Sequence, residues 1–92
     1  MTYEYDPGDL KLIKEYCSDT PDYDAFLAPA FSIRFNTNLI DSATMIYHTV
    51  EAVQGNRIES MRVEYVLAVR DIIEEMKSAS PIPIFPLRRW SA

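Results

Sequence analysis

The sequence predicts a mainly α-helical single domain built on a long antiparallel helical hairpin, becoming a small α+β arrangement if two short extended segments pair. Three observations predict it. Apolar residues recur at helical spacing over two long stretches, 38–54 and 57–77, on either side of Gln54-Gly55-Asn56. Only two glycines occur among 92 residues, too few for the many tight turns of a small barrel or sandwich. Hydrophobic residues make up 48% and charged residues 25%, the balance of a globular chain rather than a disordered one. A chain of this length has room for one modest core and not for a deep cleft plus a second lobe.

Taken in order, Asp6-Pro7-Gly8-Asp9 reads as a helix start. Asp6 is placed as N-cap, Pro7 occupies the first helical position, and Asp9 lies in the positive first turn. Leu10, Ile13 and Cys17 then recur at helical spacing, with Leu12 and Tyr16 on a neighbouring stripe, until Ser18-Asp19 break the pattern. Thr20-Pro21-Asp22 repeat the start signal and open a short second helix. It is expected to end before Pro29, because the residue ahead of a proline avoids the helical region. The helical N-terminal region thus covers 6–28. Phe31, Ile33 and Phe35 alternate with Ser32, Arg34 and Asn36, the period-two signature of a half-buried strand over 31–35.

The hairpin carries the strongest pattern. Leu39, Ala43, Ile46, Val50 and Val53 form one stripe, widened by Ile40 and Tyr47, with Asn38 as N-cap and Asp41 three residues on. Gly55 suits the position past a helix end, and Asn56 with Glu59 resembles a capping box. Ile58, Met61, Tyr65, Ala68, Val69, Ile72, Ile73 and Met76 mark the second helix, with Val63 and Leu67 on its back. Its apolar arc is about 160°, wider than the stripe of roughly 100° typical of a surface helix. The partner helix can cover only part of that arc.

Residues 80–92, SPIPIFPLRRWSA, combine Ile82, Ile84, Phe85, Leu87 and Trp90 with three prolines and the pair Arg88-Arg89. Disordered tails are normally poor in such residues, so this apolar strap is expected to bury itself against something. As an extended strand, Pro81 and Pro83 blank one edge and leave the N–H groups of Ile82 and Ile84 on the other, facing the 31–35 strand. As polyproline II, Pro83 to Arg88 fits the PxxPxR shape of ligands that dock SH3 grooves. Its surface is its own domain, a second copy or a foreign protein.

Little in the chain points to catalysis. His48 is the single histidine and falls opposite the apolar stripe. With Glu51 it makes two candidate metal ligands where catalytic zinc needs three from the protein. Cys17 lies on an apolar stripe, as structural cysteines do, and being alone it closes no internal disulfide. Neither glycine belongs to a phosphate loop, and Asp71, Glu74 and Glu75 read as a solvated charged face. No catalytic residue, metal or cofactor is expected, and no enzyme.

The net charge of −5 sits in residues 1–24, where seven acids face two lysines. That balance disfavours nucleic acid, whose phosphates need Lys and Arg. The same quarter mixes tyrosines with carboxylates. Tyr3, Tyr5, Asp19, Asp22, Tyr23 and Asp24 are therefore the candidate contacts for a basic protein surface. The expectation is a small, acidic, non-enzymatic protein–protein interaction module, a regulator or inhibitor docking on a larger partner. Phage and mobile-element accessory proteins offer the analogy. The alternative is a structural protein acting as a homodimer or higher homo-oligomer. In that case Ile82, Ile84, Phe85, Leu87, Arg88, Arg89 and Trp90 make the contacts between copies. The lone cysteine, the absence of a signal-peptide pattern after Met1 and the lack of a long apolar run predict a cytoplasmic protein with no membrane attachment.

Overall fold

A computed structural model describes residues 4–79. Helix α1, Pro7–Asp19, starts where Asp6 Oδ1 accepts the N–H of Gly8 at 3.0 Å, and it stops at an extended Thr20. It buries Ile13 and Cys17. Helix α2, Tyr23–Phe35, is followed by the left-handed Asn36 (φ 54°), whose N–H caps the carbonyl of Ser32. Asparagine tolerates that backbone better than other residues with a Cβ. Helix α3, Leu39–Gln54, begins at Asn38, whose side-chain oxygen accepts the N–H of Asp41 at 2.7 Å. A single 3₁₀ turn, Ile58–Ser60, precedes helix α4, Val63–Ala79. The architecture is mainly helical, with no strand among the described residues.

The segment 31–35 is therefore a correction: it is helix, not strand. Five residues reading F-S-I-R-F fit both periods at their ends, because Phe31 and Phe35 lie four apart and share one side of a helix. Ile33 decides between them. It is 83% exposed while Phe31 is fully buried, as a helix places them and a half-buried strand would not. Nor does the second helix end before Pro29, which lies inside α2 on the outer side. A proline here removes one donor, the one that would reach the carbonyl of Ala25. Burial of Leu27, Ala28 and Phe31 on the inner side outweighs that loss, each large apolar side chain contributing about 1.5–3 kcal/mol. Ser32 Oγ donates to the Pro29 carbonyl at 2.8 Å.

The start of the last helix is displaced as well. Asn56 does not open a capping box: it takes the left-handed region (φ 58°), and its Oδ1 accepts from Lys14 Nζ at 3.3 Å. Met61 is extended after the 3₁₀ turn, so α4 begins only at Val63. The carbonyl of Arg62 takes its first hydrogen bonds, from the N–H groups of Tyr65 and Val66. Residues 55–62 thus replace the tight connection expected between the two long helices. The expected pairing of segment 80–92 with a strand loses its partner, and the segment itself lies outside the described residues.

One core joins the four helices. Ile13 and Cys17 of α1, Leu27 and Phe31 of α2, Ile46, Val50 and Val53 of α3, and Val66, Val69 and Ile73 of α4 belong to the same buried cluster. The most extensive packing is between α2 and α3. Tyr23 at the start of α2 stacks on Tyr47, while Pro29 in the middle of α2 meets Leu39 and Ile40 at the start of α3, so the two run antiparallel. Helix α4 runs antiparallel to α2: Tyr65 packs edge-on to Phe31 and Phe35, while Ile72 and Glu75 lie beside Ile33 and Ala30. It follows the direction of α1, with Arg70 on Asp9 and the Tyr16 hydroxyl donating to Met76 Sδ at 4.0 Å.

Candidate functional site

Nucleophile and metal chemistry find little support in the geometry. Cys17 is buried in the core, and burial pushes its thiol up to about 12, far from a reactive thiolate. His48 is exposed and sets its ring edge-on to Tyr47, 5.8 Å between centroids. Its neighbour Glu51 accepts instead from the Tyr47 hydroxyl at 2.9 Å, a bond that raises the Tyr47 phenol. Among the described residues, no three His, Cys, Asp or Glu side chains are arranged to hold a metal ion. An open depression between α1 and α4, roughly 620 Å³, is lined by Leu12, Asp71, Glu74, Glu75, Lys77 and Ser78. It is a mixed-charge surface whose Asp71 is already paired with Arg34 and Arg70.

The acidic and aromatic residues of the N-terminal quarter separate in space. Asp19 and Asp22 are exposed and Asp24 is half-buried, so the carboxylates face water. Tyr23 turns inward and is only 8% exposed. Its ring lies 6.4 Å from that of Tyr47 at an interplanar angle of 3°. Tyr5 is half-buried against the core. Tyr3 lies outside the described residues, as do Ile82, Ile84, Phe85, Leu87, Arg88, Arg89 and Trp90.

A different surface carries the exposed apolar residues. Between Asp24 and Arg34, α2 has no charged residue, and it is apolar nearly all round. A helix of that character is normally covered on every side. Here its outer side is open: Phe26 is 59% and Ile33 83% exposed, with Pro29 exposed between them and Ala25 exposed beside Phe26. The first two turns of α3 extend the surface with Leu39 and Ile40, the latter 80% exposed, and Tyr47 continues it. A shallow groove of roughly 260 Å³ runs along the seam, lined by Ala25, Ala28, Pro29, Leu39, Ile40 and Ala43, with no charged side chain.

Carboxylates stand around this patch. Asp24 and Glu51 are close enough to Tyr47 to raise its phenol, after the Glu51 hydrogen bond, while Asp22 holds the N-cap position of α2 without a side-chain cap bond and Asp41 lies in the first turn of α3. Exposed Leu39, Ile40 and Tyr47 correct their assignment to the core stripe of α3, whose buried members are Ile46, Val50 and Val53. A signal for the patch is present in the sequence: the run of apolar residues from Ala25 to Ile33 is too continuous for either a half-buried strand or an amphipathic helix. Comparison of the chain with protein-family models, with curated proteins and with solved structures finds no match.

Proposed function

We propose that this protein is a small acidic protein-interaction module, non-enzymatic, that regulates or inhibits a larger partner by docking on it. The docking surface is the open side of α2 and the start of α3, and the supporting observation is an apolar face with a carboxylate rim. Phe26, Ile33 and Ile40 supply apolar contact, while Asp22, Asp24, Asp41 and Glu51 select against an acidic surface. The fitting partner is a protein segment with large apolar side chains flanked by Lys or Arg. Asp19 and Asp22 keep the steering role read from the sequence, and Phe26 takes over the aromatic contact first given to Tyr23.

The test is comparative capture at physiological salt, with wild type and Ile33→Asp/Ile40→Asp as baits. Both residues are exposed, so the variant keeps its fold. A basic partner held by wild type and lost from the variant supports the reading. No partner, or one retained equally by both, refutes it. Light scattering on wild type addresses assembly into homo-oligomers, which would place a second copy on the same surface.

A further inference from the structure

The open apolar side of α2 is short of a cover, and the chain supplies one. We propose that residues 80–92 of the same molecule lie across this face and occupy it until a partner displaces them. The inference rests on reading the face as a docking surface, but not on any foreign partner.

Three observations carry it. The first is where α4 ends. Helix α4 runs antiparallel to α2, with Tyr65 on Phe35 and Glu75 beside Ala30. One more turn of the same pairing brings the end of α4, at Ala79, to the level of Phe26. The chain therefore leaves the last helix beside the exposed face rather than on the far side of the molecule.

The second is reach. Thirteen residues span about 40 Å at 3.1 Å per residue, and α2 is about 20 Å long. The segment can follow α2 from Phe26 to Ile33, crossing the groove at Pro29, Leu39 and Ile40 on the way.

The third is complementarity. Ile82, Ile84, Phe85 and Leu87 offer four large apolar side chains, followed by Arg88 and Arg89. The described residues carry fourteen carboxylates against seven bases, a formal charge of −7, while the segment carries +2. An apolar run closing on two arginines is the chemistry that an apolar groove accepts when Asp24 and Asp41 adjoin its lining residues on a domain of net negative charge. The depression between α1 and α4 is a poorer host, because Glu74, Glu75 and Lys77 line it and would leave the isoleucines in water.

Trp90 is the single tryptophan, so its fluorescence reports on this segment alone in the full-length chain. The expected result is a blue-shifted emission and a several-fold lower acrylamide quenching constant than for a free peptide of residues 80–92, both independent of protein concentration. Ile33→Asp/Ile40→Asp then red-shifts the emission and restores quenching, with the circular dichroism spectrum unchanged. Emission like that of the free peptide overturns the proposal. So does shielding that the double variant leaves intact, which moves the segment to another surface. Shielding that fades on dilution into monomers replaces the intramolecular cover by a second copy and also overturns it. Failure of partner capture leaves these readouts untouched, and a solvated Trp90 leaves partner capture untouched, so the two readings fall separately.

Discussion

The rings of Tyr23 on α2 and Tyr47 on α3 stack 6.4 Å apart, within 3° of parallel. They differ sharply in exposure: Tyr23 is buried and Tyr47 stands half in water over Glu51. The pair marks the boundary between the core and the acidic rim.

Alkaline pH should unfold the protein from this boundary inward. Burial, and then the nearby Cys17, Tyr47, Asp24 and Glu51, raise the Tyr23 phenol from 10.0 to about 12. Burial raises the Cys17 thiol from 9.0 to about 12. Both groups stay protonated in the fold at pH values where the unfolded chain has lost those protons. Stability is therefore undiminished by them below pH 9 and falls as pH rises from 9 towards 12. Urea midpoints measured across that window should decline, and the decline should begin nearer pH 10 in Cys17→Ala.

A cross-helix charge network should matter where surface pairs do not. Arg70 Nη1 donates to Asp9 Oδ1 at 3.1 Å, and its Nε approaches Asp71 Oδ1 at 2.7 Å as a close charge contact rather than a hydrogen bond. Asp71 also accepts from Arg34 Nη1 at 3.2 Å, so the network links α1, α4 and α2. Arg70→Ala leaves partly buried acids without their cation and is expected to cost about 1–3 kcal/mol in urea unfolding. Lys11→Ala removes only a solvated 3.9 Å contact to Glu15 and should change stability by less than about 0.5 kcal/mol.

The aromatic cluster is the most sensitive part of the core. Phe31 is fully buried, 4.6 Å from the ring of Phe35 and 5.6 Å from that of Tyr65. Phe31→Ala is expected to lose about 3–5 kcal/mol, a large part of the stability of a domain this small. Thermal unfolding followed by circular dichroism would show a marginal or absent transition. Ile33→Ala, two residues away on the outer side of α2, should lower the midpoint far less.

The left-handed residue after α2 offers a test of the opposite sign. Asn36→Gly relieves residual strain at φ 54° and is expected to be neutral or slightly stabilising. Asn36→Ile places a β-branched side chain there and should cost about 1–2 kcal/mol. The Asn36→Ile midpoint should therefore fall below the wild-type value and the Asn36→Gly midpoint at or above it.

What the sequence discloses depends on whether the cause is local. The starts of α1 and α3 are legible because Asp6 and Asn38 cap N–H groups two and three residues away. Helix α2 is not, since Pro29 and the F-S-I-R-F alternation both argue against it locally. Its inner side is decided by contacts with Tyr65, thirty residues further on. The part of the open apolar face that lies on α3 is hidden for a related reason. Leu39, Ile40 and Tyr47 are as apolar as Ile46 and Val50, and helical phase gives the width of an apolar arc without saying which part another helix covers. The tyrosines of the acidic quarter illustrate the converse: Tyr23 next to Asp22 and Asp24 looks solvated in the chain and is inside the fold.

Pro29 also constrains the order of events as the chain comes together. With one donor removed from its middle, a helix of thirteen residues has little chance of persisting alone in water. Helix α2 takes its shape only once Phe31 and Phe35 find Tyr65, and Leu27 finds the stripe of α3. A chain emerging from the ribosome must wait for its later half before its second helix, the one that carries the open face, can settle.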